Sequence, residues 1–477
     1  MLKSADTGLR AVPFPVDDPE RIPVQRYFDA DFYQMEVDHL WPHVWQMACR
    51  LEQIADVGDW IEYQNLGKSI IIVNTGEGGI KAYHNACRHR GVPVAGGKGN
   101  DHGNCKNSGF VCPFHGWRFN MHGENTEVYG RELFSERQLE TADLNLIPCR
   151  VETAIGCAFI NLDDDAPSLR ASIGPLIDRL HAHNLDKLRA EWCYGTVLPA
   201  NWKIAMEAFM EGYHVMKTHP QLQAASPQMY DARYREGGAG APVAGTPKLT
   251  DPDMTFAQNI EAQLKSMALL SEGMAGMLHQ KELEIAQSLQ HATEGLPEDQ
   301  NTAMMMWLGN VMHQITVQLQ ARGEPVPDLC AVSQTDPINA VEFLFPHYFL
   351  LPYFSSFSAY RIRPLGPESC FFEIWSLTTF PEGEEPDPVL EPTVLPYDSA
   401  EFPPIPRQDY SNIPIQQTGL HAKGFEFMRL SNKVEGMISN YQRIIDGYLA
   451  GVPAEKLALA NNLLGGNFDG KIHDLEF

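Results

Sequence analysis

Cys87-Arg-His89-Arg-Gly91 and Cys112-Pro-Phe-His115-Gly-Trp117 decide how the first third of this chain folds. The first stretch is a C-x-H pair, the second a C-x-x-H pair, and 22 residues separate them. Each pair follows a strand-like run and is closed by a glycine, so each reads as a tight loop at a strand end. Two thiolates and two imidazoles on facing loops can hold either a tetrahedral zinc or a two-iron cluster. In the cluster both thiolates bind one iron and both imidazoles the other. Neutral histidines in place of thiolates then raise the reduction potential.

Short strands and turns surround these loops from Trp41 to about Asp165. Trp60-Ile-Glu-Tyr-Gln64 roughly alternates, Ser69-Ile-Ile-Ile-Val-Asn74 is β-rich, and Gly76-Glu-Gly-Gly79 turns into Ile80-Lys-Ala-Tyr83. Arg150-Val-Glu-Thr153 and Cys157-Ala-Phe-Ile-Asn-Leu162 read as a returning pair, and Asp163-Asp-Asp-Ala-Pro167 ends the pattern. His102 and Cys105, late in the spacer, are expected to be loop residues without a ligand role, because neither has a partner at ligand spacing.

The remainder has a different texture. Trp202 to Val215 carries apolar residues at helical spacing behind Asn201, a good N-cap. Residues 253–292 and 298–321 read as two long helices separated by Gly295-Leu-Pro297. Strand-like segments run from Ala340 to Phe380. A proline-rich linker (residues 382–406) then leads towards a terminal helix from about Val434 to Leu449. The sequence therefore predicts an all-β first domain followed by an α+β domain.

Glu211-Gly-Tyr-His214-Val-Met-Lys-Thr-His219 lies on that first helix as E-x-x-H-x-x-x-x-H. Glu211 and His214, three residues apart, would share a face, with His219 where Pro220 should end the helix. Two imidazoles at a helix end need one carboxylate to complete a 2-His-1-carboxylate facial triad, which leaves iron(II) positions open for dioxygen and substrate. On its own this spacing more often belongs to surface or core histidines.

Taken together, the two loops, the E-x-x-H-x-x-x-x-H segment behind Asn201-Trp-Lys203, and the roughly 100 residues between them resemble Rieske non-heme iron oxygenases. The likeness is to the large (α) subunit of the aromatic ring-hydroxylating type. The resemblance implies an N-terminal segment over 1–40 that packs on the catalytic domain, a Rieske [2Fe–2S] domain over 41–166, and a catalytic domain over 167–477. The last would be an α+β helix-grip, START-like fold with an antiparallel sheet and a helical insertion at about 250–325. It implies Cys87, His89, Cys112 and His115 as cluster ligands, and His214 and His219 as ligands of one mononuclear Fe(II). Glu211 would be an inter-subunit electron bridge, accepting a hydrogen bond from His115 of a neighbouring chain. The third iron ligand is expected shortly before a C-terminal helix, and Asp409 fits, although Asp409-Tyr-Ser-Asn412 also reads as a turn. Asp446 and Glu401 are poorer candidates. Phe209 and Met210 are expected to line an apolar substrate pocket.

Composition sets the outer bounds. With 36 Lys+Arg against 61 Asp+Glu the chain carries a formal charge of −25, which argues against nucleic acid as a partner. No segment approaches the ~18 uninterrupted apolar residues of a membrane helix, and Met1–Tyr27 has no apolar signal core. Nine cysteines are too sparse and odd in number for a disulfide scaffold, so a cytoplasmic protein is expected. No glycine-rich dinucleotide fingerprint is present. NAD(P)H would therefore act only through a separate flavin reductase, a ferredoxin, or both. Residues 81–118 hold Lys81, Arg88, Arg90, Lys98, Lys106 and Arg118 against Asp101, a local +5 that suits docking of an acidic donor. A homotrimer is expected, with a β subunit left open. The expected reaction uses O2 to mono- or dihydroxylate a hydrophobic aromatic, steroid-like or terpenoid molecule. The alternatives are O- or N-demethylation, or a Rieske electron carrier without iron catalysis.

Overall fold

The computed structural model describes residues 8–97, 101–139, 141–225, 227, 249–466 and 470–477. It separates into two compact units. One comprises Trp41–Leu169 with Pro388–Glu391, and the other the N-terminal residues to Leu40, Arg170–Asp387 and Pro392–Phe477.

The smaller unit is built on strands β1 (Gln46–Arg50), β2 (Asp59–Asn65), β3 (Lys68–Asn74), β4 (Ile80–His84), β5 (His102–Asn104), β9 (Pro148–Ala154) and β10 (Cys157–Asn161). They form one sheet in the order β1-β10-β9-β4-β3-β2-β5. A second sheet of β6 (Phe110–Val111), β7 (Arg118–Phe119) and β8 (Asn125–Glu127) carries the second loop. The isoleucine run is apolar at every position because β3 is covered on both faces. Ile71 and Val73 enter the core that also holds Cys87, Cys112 and Trp117, whereas Ile70 and Ile72 enter the opposite one with Ala48 and Ile160. His102 proves to be a strand residue rather than a loop residue. Its segment pairs with β2 as the edge strand of the sheet, placing Ile61 opposite His102.

The larger unit centres on a six-stranded sheet of β11 (Arg189–Leu198), β12 (Glu342–Leu344), β13 (Tyr348–Pro352), β14 (Phe357–Gly366), β15 (Ser369–Thr378) and β16 (Thr393–Val394). Its order is β12-β13-β14-β15-β11-β16. All pairings are antiparallel except the short edge pair β11/β16. The helices used below are α1 (Ala30–His39), α2 (Trp202–Glu207), α3 (Val215–Thr218), α4 (Phe256–Gly273), α5 (Gln280–Ser288), α6 (Gln300–Ala321), α7 (Pro404–Leu420), α8 (Gly436–Ala450) and α9 (Ala454–Gly466).

Four helix expectations need correction. The Trp202–Val215 helix stops at Glu207 and resumes as the single turn α3, with turn and bend residues between them. The 253–292 helix is two helices, because the link between α4 and α5 turns against the sheet. Ser358 Oγ donates to the carbonyls of Met274 and Ala275 there, and Gly276 at φ +77° has no room for a Cβ against Ser376. Asp409 lies inside a helix rather than in a turn before one. Pro403 and Pro404 start α7, since the first turn of a helix needs no donor from proline nitrogen. Finally, Gly451 and Pro453 end α8 but do not end the fold, and α9 follows.

Candidate metal centres

Both loops of the smaller unit are built alike. Gly91 N–H donates to the Cys87 carbonyl and Cys87 N–H to Val92. In the same way Gly116 N–H donates to Cys112, and Cys112 N–H to Trp117. Gly91 and Gly116 both sit at positive φ, +77° and +74°, which a side chain would resist. This geometry turns each cysteine inward, where both are buried, and holds each histidine at the edge. The Nδ1 atoms of His89 and His115 lie 3.1 Å apart, and the His89 ring stacks on Trp117 at 5.1 Å. Burial pushes the Cys87 thiol up to about 11, with Cys112 as its neighbouring thiol. Two thiols and two ring nitrogens therefore converge from two rigid turns, a donor set that fits a two-iron cluster.

In the larger unit the break between α2 and α3 shapes the second site. Glu211 Oε2 accepts from the His214 backbone N–H at 3.0 Å, and Glu211 Oε1 meets His214 Nδ1 at 2.7 Å. The carboxylate thus ties down the backbone at the start of α3 and orients the imidazole at once. His219 Nδ1 is held at 2.8 Å by Gln408 Oε1, which also accepts from Gln221 Nε2 at 2.9 Å. With both Nδ1 atoms engaged, the Nε2 atoms are the ones left to face Asp409, at 3.7 Å from His214 and 3.1 Å from His219. The ligand atoms of His214, His219 and Asp409 all lie within 4.8 Å of one another. Burial alone would push His214 down, but the hydrogen bond and charge of Glu211 and the charge of Asp409 raise it instead. The same negative field favours a cation at this point. Second partners that fix the tautomer of a ligating histidine are the usual support of a metal site, and the donor set fits a facial triad.

Gln408 carries no signal in the sequence. It is an ordinary amide beside Asp409, and its role depends on α7 passing next to His219. Glu207 was equally invisible. It is a buried carboxyl that accepts from Tyr27 Oη at 2.9 and 3.0 Å and from Gln442 Nε2. Met210 is buried. Phe209 packs on Phe349 (4.6 Å), Tyr360 (5.2 Å) and Phe372 (5.9 Å), and Phe372 in turn meets Tyr410, the neighbour of Asp409. Of the basic island, Arg118 pairs with Glu127 at 2.9 Å and Arg88 Nε donates to the Asp143 carbonyl. Lys98 lies outside the described residues.

Comparison with known proteins gives the same two-part division. Residues 177–451 match the family described as ring hydroxylating alpha subunit (catalytic domain), and residues 44–132 match the Rieske [2Fe-2S] domain. The carnitine monooxygenase oxygenase subunit of Escherichia coli (strain K12) is 28% identical over 42% of this chain and 52% of its own length. The benzene 1,2-dioxygenase subunit alpha of Pseudomonas putida is 31% identical over 42% of this chain and 44% of its own. The matched stretch thus spans about half the length of these relatives. A quaternary ammonium Rieske monooxygenase solved with L-carnitine superposes with a TM-score of 0.57 at 16% identity, over 91% of this chain and 97% of that one, which shows a shared fold.

Proposed function

The chain belongs to the ring-hydroxylating α-subunit family, and from that premise we propose that it is the oxygenase component of a Rieske mono- or dioxygenase. The observation that carries this reading is the pair of donor sets: Cys87, His89, Cys112 and His115 in one unit, and His214, His219 and Asp409 in the other. The first set would hold one [2Fe–2S] cluster and the second one mononuclear iron(II). Bound there, these groups supply one-electron delivery and dioxygen activation beside an organic substrate.

The protein's own residues set the terms of that chemistry. Gln408 and Glu211 hold the two imidazoles with Nε2 presented, and Asp409 neutralises charge from the buried side. Glu211 serves as the electron bridge, meeting His115 of a neighbouring chain on one side and His214 on the other. This makes an oligomer, most simply a cyclic trimer, the working form. A cluster held by Cys87, His89, Cys112 and His115 would take its electrons from a reductase or ferredoxin in the cytoplasm. Phe209, Met210 and the aromatic side chains beside them form the apolar wall for substrate.

That wall suits a hydrophobic aromatic or terpenoid molecule. It also suits a quaternary ammonium cation, which aromatic faces attract, so demethylation of such a compound is the second reading. The test is a substrate screen with a surrogate reductase, following substrate-dependent oxygen uptake and product mass. Gain of one or two oxygen atoms marks hydroxylation, and loss of a one-carbon unit marks demethylation. A cluster that is reduced and reoxidised without any substrate-dependent product would leave only the electron-carrier reading.

A further inference from the structure

Beneath the first of the two donor loops lies a buried carboxylate, Glu62, in the middle of β2 and 1% exposed. Side chains alternate along a strand, so Glu62 shares a face with Trp60 and stands opposite Ile71 of β3. Ile71 belongs to the core that holds Cys87, Cys112 and Trp117, and Trp60 packs against that core. Ile61 and Tyr63 enter the opposite one. The sheet therefore turns one formal negative charge towards the side where the two thiols converge.

Both oxygens of Glu62 are held. Oε1 accepts from Ser69 Oγ at 2.5 Å and from Gln64 Nε2 at 2.9 Å, and Asn85 Nδ2 lies 3.3 Å from it. Oε2 accepts from the Gly97 N–H at 3.0 Å. Each oxygen acts as an acceptor, the role an ionised carboxylate fills. Asn85 in turn closes the base of the loop. Its Oδ1 accepts from the Val94 and Ala95 N–H groups at 2.9 and 3.2 Å, and its Nδ2 donates to the Ala95 carbonyl. Gly96 stands at φ +58°, and a Cβ there would come within 2.7 Å of Glu62 Oε2. Residues 85–97, which carry Cys87 and His89, are thus tied at both ends to one carboxylate.

We infer that Glu62 sets the redox poise of this centre, holding the loop with its oxygens and lowering the reduction potential with its charge. The inference rests on the reading of Cys87, His89, Cys112 and His115 as [2Fe–2S] ligands. Reduction adds one electron there, taken from the external donor, and no covalent bond forms or breaks. A fixed negative charge in the same low-dielectric core opposes that addition. It works against the two neutral histidines, which raise the potential. The lower potential makes the reduced centre a stronger donor to the iron site. Glu62 is a positioning residue, acting through the loop and through its field.

Redox titration of the full-length protein, followed by visible and electron paramagnetic resonance spectra, tests this without turnover. Glu62→Gln keeps the side-chain shape and the Oε1 contacts, and gives up the charge together with the Gly97 contact. Its potential should rise, so that at a fixed donor poise the reduced-to-oxidised ratio increases several-fold. Ser69→Ala takes a donor away from the carboxylate and leaves its charge less screened, so the potential should fall. A loop that is merely loosened would move both variants the same way. Shifts in one common direction, or no shift in either variant, would overturn the inference. If Glu62→Gln loses its cluster, Ser69→Ala decides alone, and an equal or higher potential overturns the inference. A parent without a [2Fe–2S] spectrum removes the reading of the four ligands instead. A normal parent spectrum with unmoved variants removes the role of Glu62 alone.

Discussion

At the scale of single residues, the candidate iron site depends on two side chains that are not ligands. Gln408 and Glu211 each take an Nδ1, and the position of each Nε2 follows from that. Gln408→Leu keeps the size of the side chain and removes the acceptor, so His219 loses its fixed tautomer. Iron titration of the apo-protein should show mononuclear affinity falling by about 10–100-fold with the cluster spectrum unchanged. Glu207 offers a second test. Burial outweighs the donors Gln442 and Tyr27 and the nearby charges of Lys203 and Arg26, raising its carboxyl from 4.5 to about 7. A carboxyl raised in the folded state holds its proton there while the unfolded chain has already released it. Stability therefore falls as pH rises from about 4.5 to about 7, by at most about 3 kcal/mol. Glu207→Gln should flatten that part of the stability–pH curve measured by urea unfolding. An unchanged slope would show that Glu207 is already ionised when folded.

At the scale of elements, the strands were legible and the helices only partly so. Ser69–Asn74 and the pair around Gly156 read correctly because period, turn residues and length all agree. The histidine segment misled because its apolar spacing continues through Met210 while the chain does not stay helical. Glu211 lies outside any helix and binds the His214 backbone N–H instead of sharing a helix face with His214. Asp409 lies near both imidazoles, but inside a helix rather than in a turn before one. Prolines before it look like linker text, yet at the start of α7 they cost little. The N-terminal segment is fastened to the catalytic unit by charges that no local pattern announces. Lys203 Nζ and Glu36 Oε1 pair at 2.6 Å with both side chains fully buried, and Trp202 Nε1 donates to the same carboxylate. Burial pulls the Lys203 pKa down, against Glu36, which supports the charged form. Lys203→Met alone should cost about 3–5 kcal/mol in chemical denaturation, because it strands a buried carboxylate. Adding Glu36→Gln should recover most of that loss, and a double-mutant cycle gives the coupling.

At the scale of the whole molecule, a −25 chain concentrates positive charge around its cluster loops. No helix among the described residues is long and apolar enough to cross a membrane. With Arg118 paired to Glu127, the exposed Lys81, Arg88, Arg90 and Lys106 carry the charge available to a donor. Lys81→Glu/Lys106→Glu should slow cluster reduction by an acidic ferredoxin several-fold at low salt, with the difference vanishing as salt is raised. Equal rates at low salt would place the donor elsewhere.

Everything above turns on one pairing, a histidine-ligated cluster with a separate mononuclear iron at His214, His219 and Asp409. Iron per chain, with the visible and electron paramagnetic resonance spectra of the reduced protein, tests it most directly in the parent and in His214→Ala. About three irons are expected in the parent and about two in the variant, with the cluster signal identical in both. Equal iron in the two proteins, or a colourless parent that binds zinc, would contradict it.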